Sequence, residues 1–259
     1  MESTDIMQIE TDPQSSDQGD PRPNLEVAPK RRPALIFDLD GTLTDSKPGI
    51  VGCLSKVLDA WCLDPAGPLD RFVGPPVEDW AVELLPDASD EDRAKLARDY
   101  RACYDLEGWC NNSVFDGVRE MLNKLHQSRF LLFVCTSKQQ RFAVRILEHF
   151  GLGGMFTGIY GDRPEYHDHG KAELLAAVLR ENLIEKSDAM MIGDRIHDVH
   201  AARSNGIPCL AAGWGYGSTE EYLLADAIAP TPAELPALVF NQQYQKWRHE
   251  PVKGHRLAG

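Results

Sequence analysis

Short continuous apolar runs fall at Ala34–Phe37, 130–135, 158–160, 189–192 and Cys209–Ala212, and they constrain this chain most. Each lacks the in-out alternation of a strand with one wet face, as expected of strands buried on both faces of a parallel sheet. Between them the spacing turns helical, with helices expected over 118–127, 139–150, 171–182 and 198–205. Strands alternating with helices predict an α/β chain, a parallel sheet covered by helices.

One stretch breaks the alternation. From Gly49 to about Glu107 the apolar residues keep helical spacing, as in Ile50, Val51, Leu54, Val57 and Leu58, and later Leu96, Tyr100, Cys103 and Tyr104. The stretch reads as an inserted helical domain, 49–116, splitting a core of 33–48 and 117–238. Residues 1–32 are rich in Asp, Ser, Gln and Pro and read as a disordered extension. Residues 239–259 read as a loose, polar tail.

Composition narrows the function. With 27 basic against 40 acidic residues the formal charge is −13, which disfavours nucleic acid and anionic membranes as partners. An anionic substrate then needs a local site. No apolar run approaches the roughly 18 residues of a membrane helix, and the acidic start resembles neither a secretory signal nor a transit peptide. A cytoplasmic location is expected. Cys53, Cys62, Cys103 and Cys110 fall in one segment, but no C-x2-C pair joins them, so reduced cysteines are expected in preference to a structural metal.

Four places carry chemistry. Asp38 and Asp40 stand two apart after the first apolar run, where strand ends in open α/β sheets face ligands. Like charges held close require a cation or a proton, and a hard divalent ion ligated by oxygen is the natural partner. Gly41 permits a tight turn whose backbone N–H groups can cradle a phosphate. A plain turn with an Asp helix cap is the competing reading. Thr136 and Ser137 close the second run, and a hydroxyl there either holds a phosphate oxygen or caps the next helix. Lys171 opens a helix, where the macrodipole disfavours it unless an anion lies in front. Asp194 and Asp198, four apart, share one face if a helix begins between them, although Asp194 could simply cap it.

In order along the chain, D-x-D-G-T, a strand-end hydroxyl, a lone lysine and G-D-x-x-x-D resemble the haloacid dehalogenase superfamily, over about residues 34–230. The stretches FDLDGTLTDS, RFVGPP, CTSK, ILEHFGL, MIGDRIHDV and GWGYGS are similar to its branch of phosphoglycolate phosphatases and 5'-nucleotidases. The resemblance implies a Rossmann-like core with an α-helical cap, and a Mg2+-dependent phosphatase of small phosphomonoesters. Under it Asp38 is the nucleophile and Asp40 the general acid and base. Thr136, Ser137, Lys171 and Gly41 bind phosphate. Asp38, Asp40 and Asp194 hold Mg2+, with Asp198 close to the metal or orienting Lys171. Within the cap, Arg71 and its loop to Glu78 are expected to select the substrate. Dehalogenating relatives lack the second aspartate, present here as Asp40. A phosphomutase, which keeps the same motifs, and a regulatory protein on a disabled scaffold are the competing functions. Oligomeric state is not legible.

Overall fold

The computed structural model describes residues 32–163 and 170–241. The N-terminal extension up to residue 31, residues 164–169 before Lys171, and the tail from residue 242 lie outside the described residues. Along the chain run β1 (Ala34–Phe37), β2 (Thr44–Asp45), α1 (Lys47–Ala60), α2 (Val77–Leu84), α3 (Asp90–Leu106), β3 (Ser113–Val114), α4 (Val118–Gln127), β4 (Leu131–Gln139), α5 (Gln140–His149) and β5 (Gly158–Asp162). Then follow α6 (Gly170–Glu181), β6 (Ala189–Gly193), α7 (Ile196–Asn205), β7 (Cys209–Ala212), α8 (Thr219–Tyr222), β8 (Ala227–Ala229) and α9 (Leu235–Phe240).

Six strands pair in parallel in the order β5-β4-β1-β6-β7-β8, as the apolar runs predict. Successive residues of a strand point to opposite faces, and here both faces are covered. Leu35, Phe37, Val134 and Ile192 pack against Met121 and Leu122 of α4 and Ile146 and Leu147 of α5. Ile36, Phe133 and Met191 pack against Leu174, Leu175 and Val178 of α6 and Ala201 and Ala202 of α7. The chain moves out from β1 through β4 and β5, then returns to place β6 on the other side. This reversal puts a ligand crevice beyond the carboxyl ends of β1, β4 and β6.

The stretch from α1 to α3 contains only helices and turns among its described residues, and it builds its own core. Ile50, Leu54 and Leu58 of α1 meet Phe72, Trp80 of α2, and Tyr100 and Tyr104 of α3. Trp80 and Tyr100 cross edge to face at 4.8 Å, and Phe142 of α5 reaches up to Tyr104 at 5.1 Å. Ser89 caps α3 by accepting the Asp92 N–H, and Asp90, Glu91 and Asp92 fill the first turn, where negative charge suits the helix dipole. The two-residue strands β2 and β3 pair antiparallel, Thr44 opposite Val114, where the chain leaves and re-enters the sheet layer.

Two boundaries differ from expectation. Strand β4 continues through Thr136, Ser137 and Lys138 to Gln139, because an irregularity between Cys135 and Gln139 shifts its register on β5 without ending it. Residues 239 and 240, expected in the tail, belong to α9, which runs to Phe240 and buries Leu235 and Val239 against the α4 side of the sheet.

Candidate active site

Asp38 follows directly on β1 and extends its ladder, donating its N–H to the Ile192 carbonyl at 2.8 Å. The chain then turns at once. Leu43 and Thr44 both donate to the Leu39 carbonyl, at 2.9 and 3.0 Å, and Gly41 takes φ +86°. A β-carbon on Gly41 would lie 2.2 Å from Asp194 Oδ2, so both the backbone angle and the neighbouring carboxylate demand glycine. The turn leaves Asp38 and Asp40 buried at 4% and 7% exposure.

The other strand ends bring their residues to the same place. Asp194, 1% exposed, follows β6, and its Oδ2 accepts the Tyr216 N–H at 2.9 Å. Its Oδ1 accepts from Thr42 Oγ1 at 3.1 Å. Asp194 does not cap α7, which begins at Ile196 behind Arg195. Asp198 lies in the first turn of that helix, where its Oδ2 accepts the Arg195 N–H at 3.0 Å. Its other oxygen, Oδ1, is 2.6 Å from Lys171 Nζ. Lys171, second residue of α6, also reaches Asp38 Oδ1 at 2.7 Å. The anion that a lysine at a helix start calls for is thus supplied twice. Thr136, 2% exposed, lies in β4 and its Oγ1 accepts the Lys138 N–H at 3.3 Å, while Ser137 lines the cavity above.

Charges decide what this cluster can hold. Asp38, Asp40, Asp194 and Asp198 are four buried carboxylates, and Lys171 and Lys138 are the ammonium groups paired with three of them. Burial pushes the Asp38 carboxyl up to about 6 against the pull of Lys171, with Asp198 and Asp40 raising it further. Asp194 is raised well above the ordinary carboxylate range, by burial first and then by Asp38 and Asp198. Burial works against the Lys171 ammonium, yet Asp198 and Asp38 outweigh it and its pKa is raised. Ligand oxygens of Asp38, Asp194 and Asp198 lie within 4.8 Å of one another. A buried, oxygen-only set carrying excess negative charge suits a hard divalent cation such as Mg2+.

A cavity of about 470 Å³ opens over the site, within the range of small-molecule pockets. Asp40, Lys171 and Ser137 lie in its wall on the sheet side, and Trp80, Tyr100 and Tyr104 on the side of the helical stretch. Glu78 lines it too, ion-paired with Arg101. Arg71 does not. Its Nε donates to Glu83 at 2.8 Å, its Nη1 donates to the Pro68 carbonyl at 2.6 Å, and its guanidinium lies over Phe72, so the cavity lining excludes it. Three other residues carry weight that the sequence reading did not give them: Thr42, Tyr216 and Lys138. Tyr216 and Lys138 stand inside GWGYGS and CTSK, stretches that resemblance picked out without giving these two a role.

A family model described as haloacid dehalogenase-like hydrolase matches residues 35–212. The 5'-nucleotidase of Pseudomonas aeruginosa is 36% identical over 83% of this chain and 97% of its own. Tyrosine-protein kinase PtkA of Mycobacterium tuberculosis is 38% identical over 74% of this chain and 66% of its own, longer length. Among solved structures, a predicted phosphatase from Clostridium acetobutylicum superposes with a TM-score of 0.75 at 32% identity, covering 81% of this chain and 99% of that one. Matches that extend over most of the sheet and its helices settle the family: this chain belongs to the haloacid dehalogenase-like hydrolases.

Proposed function

We propose that the protein is a Mg2+-dependent phosphatase of a small phosphomonoester, working through an aspartyl phosphate on Asp38. The observation that carries this reading is the pairing of Asp38 Oδ1 with Lys171 Nζ at 2.7 Å, beside a second buried aspartate two residues on. The lysine is positioned to hold the transferring phosphoryl group against a carboxylate that can attack it.

The Asp38 carboxylate attacks phosphorus, and the ester oxygen departs with a proton from Asp40. A water then gives its proton to Asp40 and attacks the phosphorus of the acyl phosphate. Inorganic phosphate leaves and Asp38 is restored. Thr136, Ser137, Lys171 and the backbone at Gly41 hold the phosphoryl oxygens. Mg2+ would be held by Asp38, the Asp40 carbonyl and Asp194, with Asp198 close by, and supplies the charge neutralisation that phosphoryl transfer needs. Asp198 also orients Lys171, as their 2.6 Å contact supports.

We assign 49–116 as a cap on a core of 33–48 and 117–238. Arg195 supports a closed arrangement, because it donates from Nη1 to the Val73 carbonyl of this stretch and from Nε to Glu221 at 3.2 Å. Closure over a cavity of this size favours small substrates over macromolecules. Its aromatic wall favours a nucleoside 5'-monophosphate ahead of 2-phosphoglycolate, and the Pseudomonas relative bears the name 5'-nucleotidase. All six cysteines are free, consistent with a reducing, cytoplasmic setting. No described helix is long and apolar enough to cross a membrane.

Phosphate release from nucleoside monophosphates, 2-phosphoglycolate, sugar phosphates, phosphotyrosine and pyrophosphate, with Mg2+ or with chelator, tests the reading. We expect release from a monoester that depends on Mg2+. Absence of release from every compound, with the protein folded and Mg2+ bound, overturns it and shifts the weight to a mutase or a regulatory scaffold.

A further inference from the structure

Lys138 is the one ammonium group of the cluster that the proposed chemistry does not use. Its Nζ lies 2.9 Å from Asp40 Oδ2 and donates to the Tyr104 hydroxyl at 2.9 Å, over the Tyr104 ring at 4.5 Å. The Lys138 and Asp40 side chains are 8% and 10% exposed. Burial opposes the ammonium, but Asp40 and Tyr104 raise its pKa above the ordinary lysine value, so it is charged. A buried ion pair is a weak source of stability compared with apolar residues of the same size. The register shift between Cys135 and Gln139 lies in this part of β4, and such irregularities re-aim side chains at strand ends.

Asp40 is gripped on one side only. Oδ2 belongs to Lys138, whereas Oδ1 is buried and accepts no hydrogen bond among the described residues. The free oxygen is the one left to exchange a proton with an ester or a water. The grip itself spans two layers, since Asp40 lies in the turn just beyond β1, Lys138 in β4, and Tyr104 in α3 of the helical stretch.

We propose that Lys138 is a positioning residue: it fixes Asp40 so that Oδ1 meets the leaving oxygen, and Tyr104 fixes Lys138 from the cap. This inference rests on the reading of Asp40 as proton donor. General-acid help matters for an alkyl ester, whose alkoxide leaves poorly, and matters little for p-nitrophenyl phosphate, whose phenolate leaves unaided. Misplacing a catalytic group by an ångström costs about a hundredfold. A residue that only supports the fold, or that only binds phosphate, weakens both esters alike.

The experiment compares kcat/KM for an alkyl phosphomonoester and for p-nitrophenyl phosphate, with Mg2+, across the parent, Asp40→Asn, Lys138→Met and Tyr104→Phe. In Lys138→Met we expect about a hundredfold loss on the alkyl ester and less than about a fivefold loss on the aryl one. Tyr104→Phe, which keeps the ion pair and so tests the idea even if Lys138→Met does not fold, should shift the same ratio by about fivefold. Equal losses on both esters in folded Lys138→Met, or no change of ratio in Tyr104→Phe, would overturn the inference. Equal losses in Asp40→Asn would instead remove the proton-donor role of Asp40, and the inference would fall with it. If Asp40→Asn discriminates and the Lys138 and Tyr104 variants do not, only the inference falls.

Discussion

Asp38→Asn should abolish phosphate release, by about ten-thousand-fold or more in kcat, as loss of a covalent nucleophile does in other hydrolases. The same change should stabilise the metal-free protein at neutral pH. The folded-state pKa of Asp38, about 6, lies above its ordinary 3.8, so the native state holds the proton more tightly than the unfolded chain. Any stability from this carboxyl is therefore present below pH 3.8 and lost as pH rises through 6. An asparagine escapes that loss. With chelator present at pH 7.5, Asp38→Asn should unfold at a higher temperature than the parent. At pH 4 the gain should nearly vanish. A stability gain joined to a total activity loss marks a charge kept for chemistry. A folded Asp38→Asn with substantial turnover would remove Asp38 from the mechanism.

Lys171→Met carries the opposite expectation for stability. It leaves Asp38 and Asp198 buried without the ammonium that lies 2.7 and 2.6 Å from them. Removing one partner of a buried ion pair costs about 3–5 kcal/mol. The variant should melt well below the parent and lose phosphate release by about a thousandfold, since a preorganised charge on the transferring group is gone. Adding Asp198→Asn to Lys171→Met should return much of the stability and none of the activity, as expected for two residues sharing one electrostatic contact. A Lys171→Met protein as stable as the parent would mean that the three groups do not interact as their geometry indicates.

The reach of the sequence is visible residue by residue. Asp38, Asp40, Asp194, Asp198 and Lys171 converge because each lies at or just beyond a strand end or a helix start, and those positions follow from apolar runs and local spacing. Lys138 was hidden by its neighbours, as the hydroxyls of Thr136 and Ser137 offered a local role and an interior lysine has no spacing signature. Its partner Tyr104 comes from another layer, which only the tertiary fold brings near. Thr42 and Tyr216 bind Asp194 from 152 and 22 residues away, beyond any local pattern. Arg71 is the converse case, a residue expected at the substrate that lies outside the cavity lining. An arginine in a turn-rich loop invites an anion, but its Nε turns to Glu83 and its Nη1 to the Pro68 carbonyl, partners that the fold brings within reach. Strands β2 and β3 are two residues each, too short for alternation to register. Helix α7 starts two residues before the expected 198 because Asp198 accepts the Arg195 N–H and so organises the turn ahead of itself.

The central claim is that a phosphoryl group rests on Asp38 between the two halves of the reaction. The most direct measurement takes Asp40→Asn, in which breakdown of such an intermediate lacks its base, and mixes it with p-nitrophenyl phosphate and Mg2+. Acid quenching, borohydride reduction and peptide mass spectrometry follow. An aspartyl phosphate is reduced to homoserine, and the account predicts homoserine at position 38, dependent on substrate and absent when Asp38 is replaced. Release of p-nitrophenol with position 38 unmodified throughout, or with the modification on another carboxylate, would contradict it.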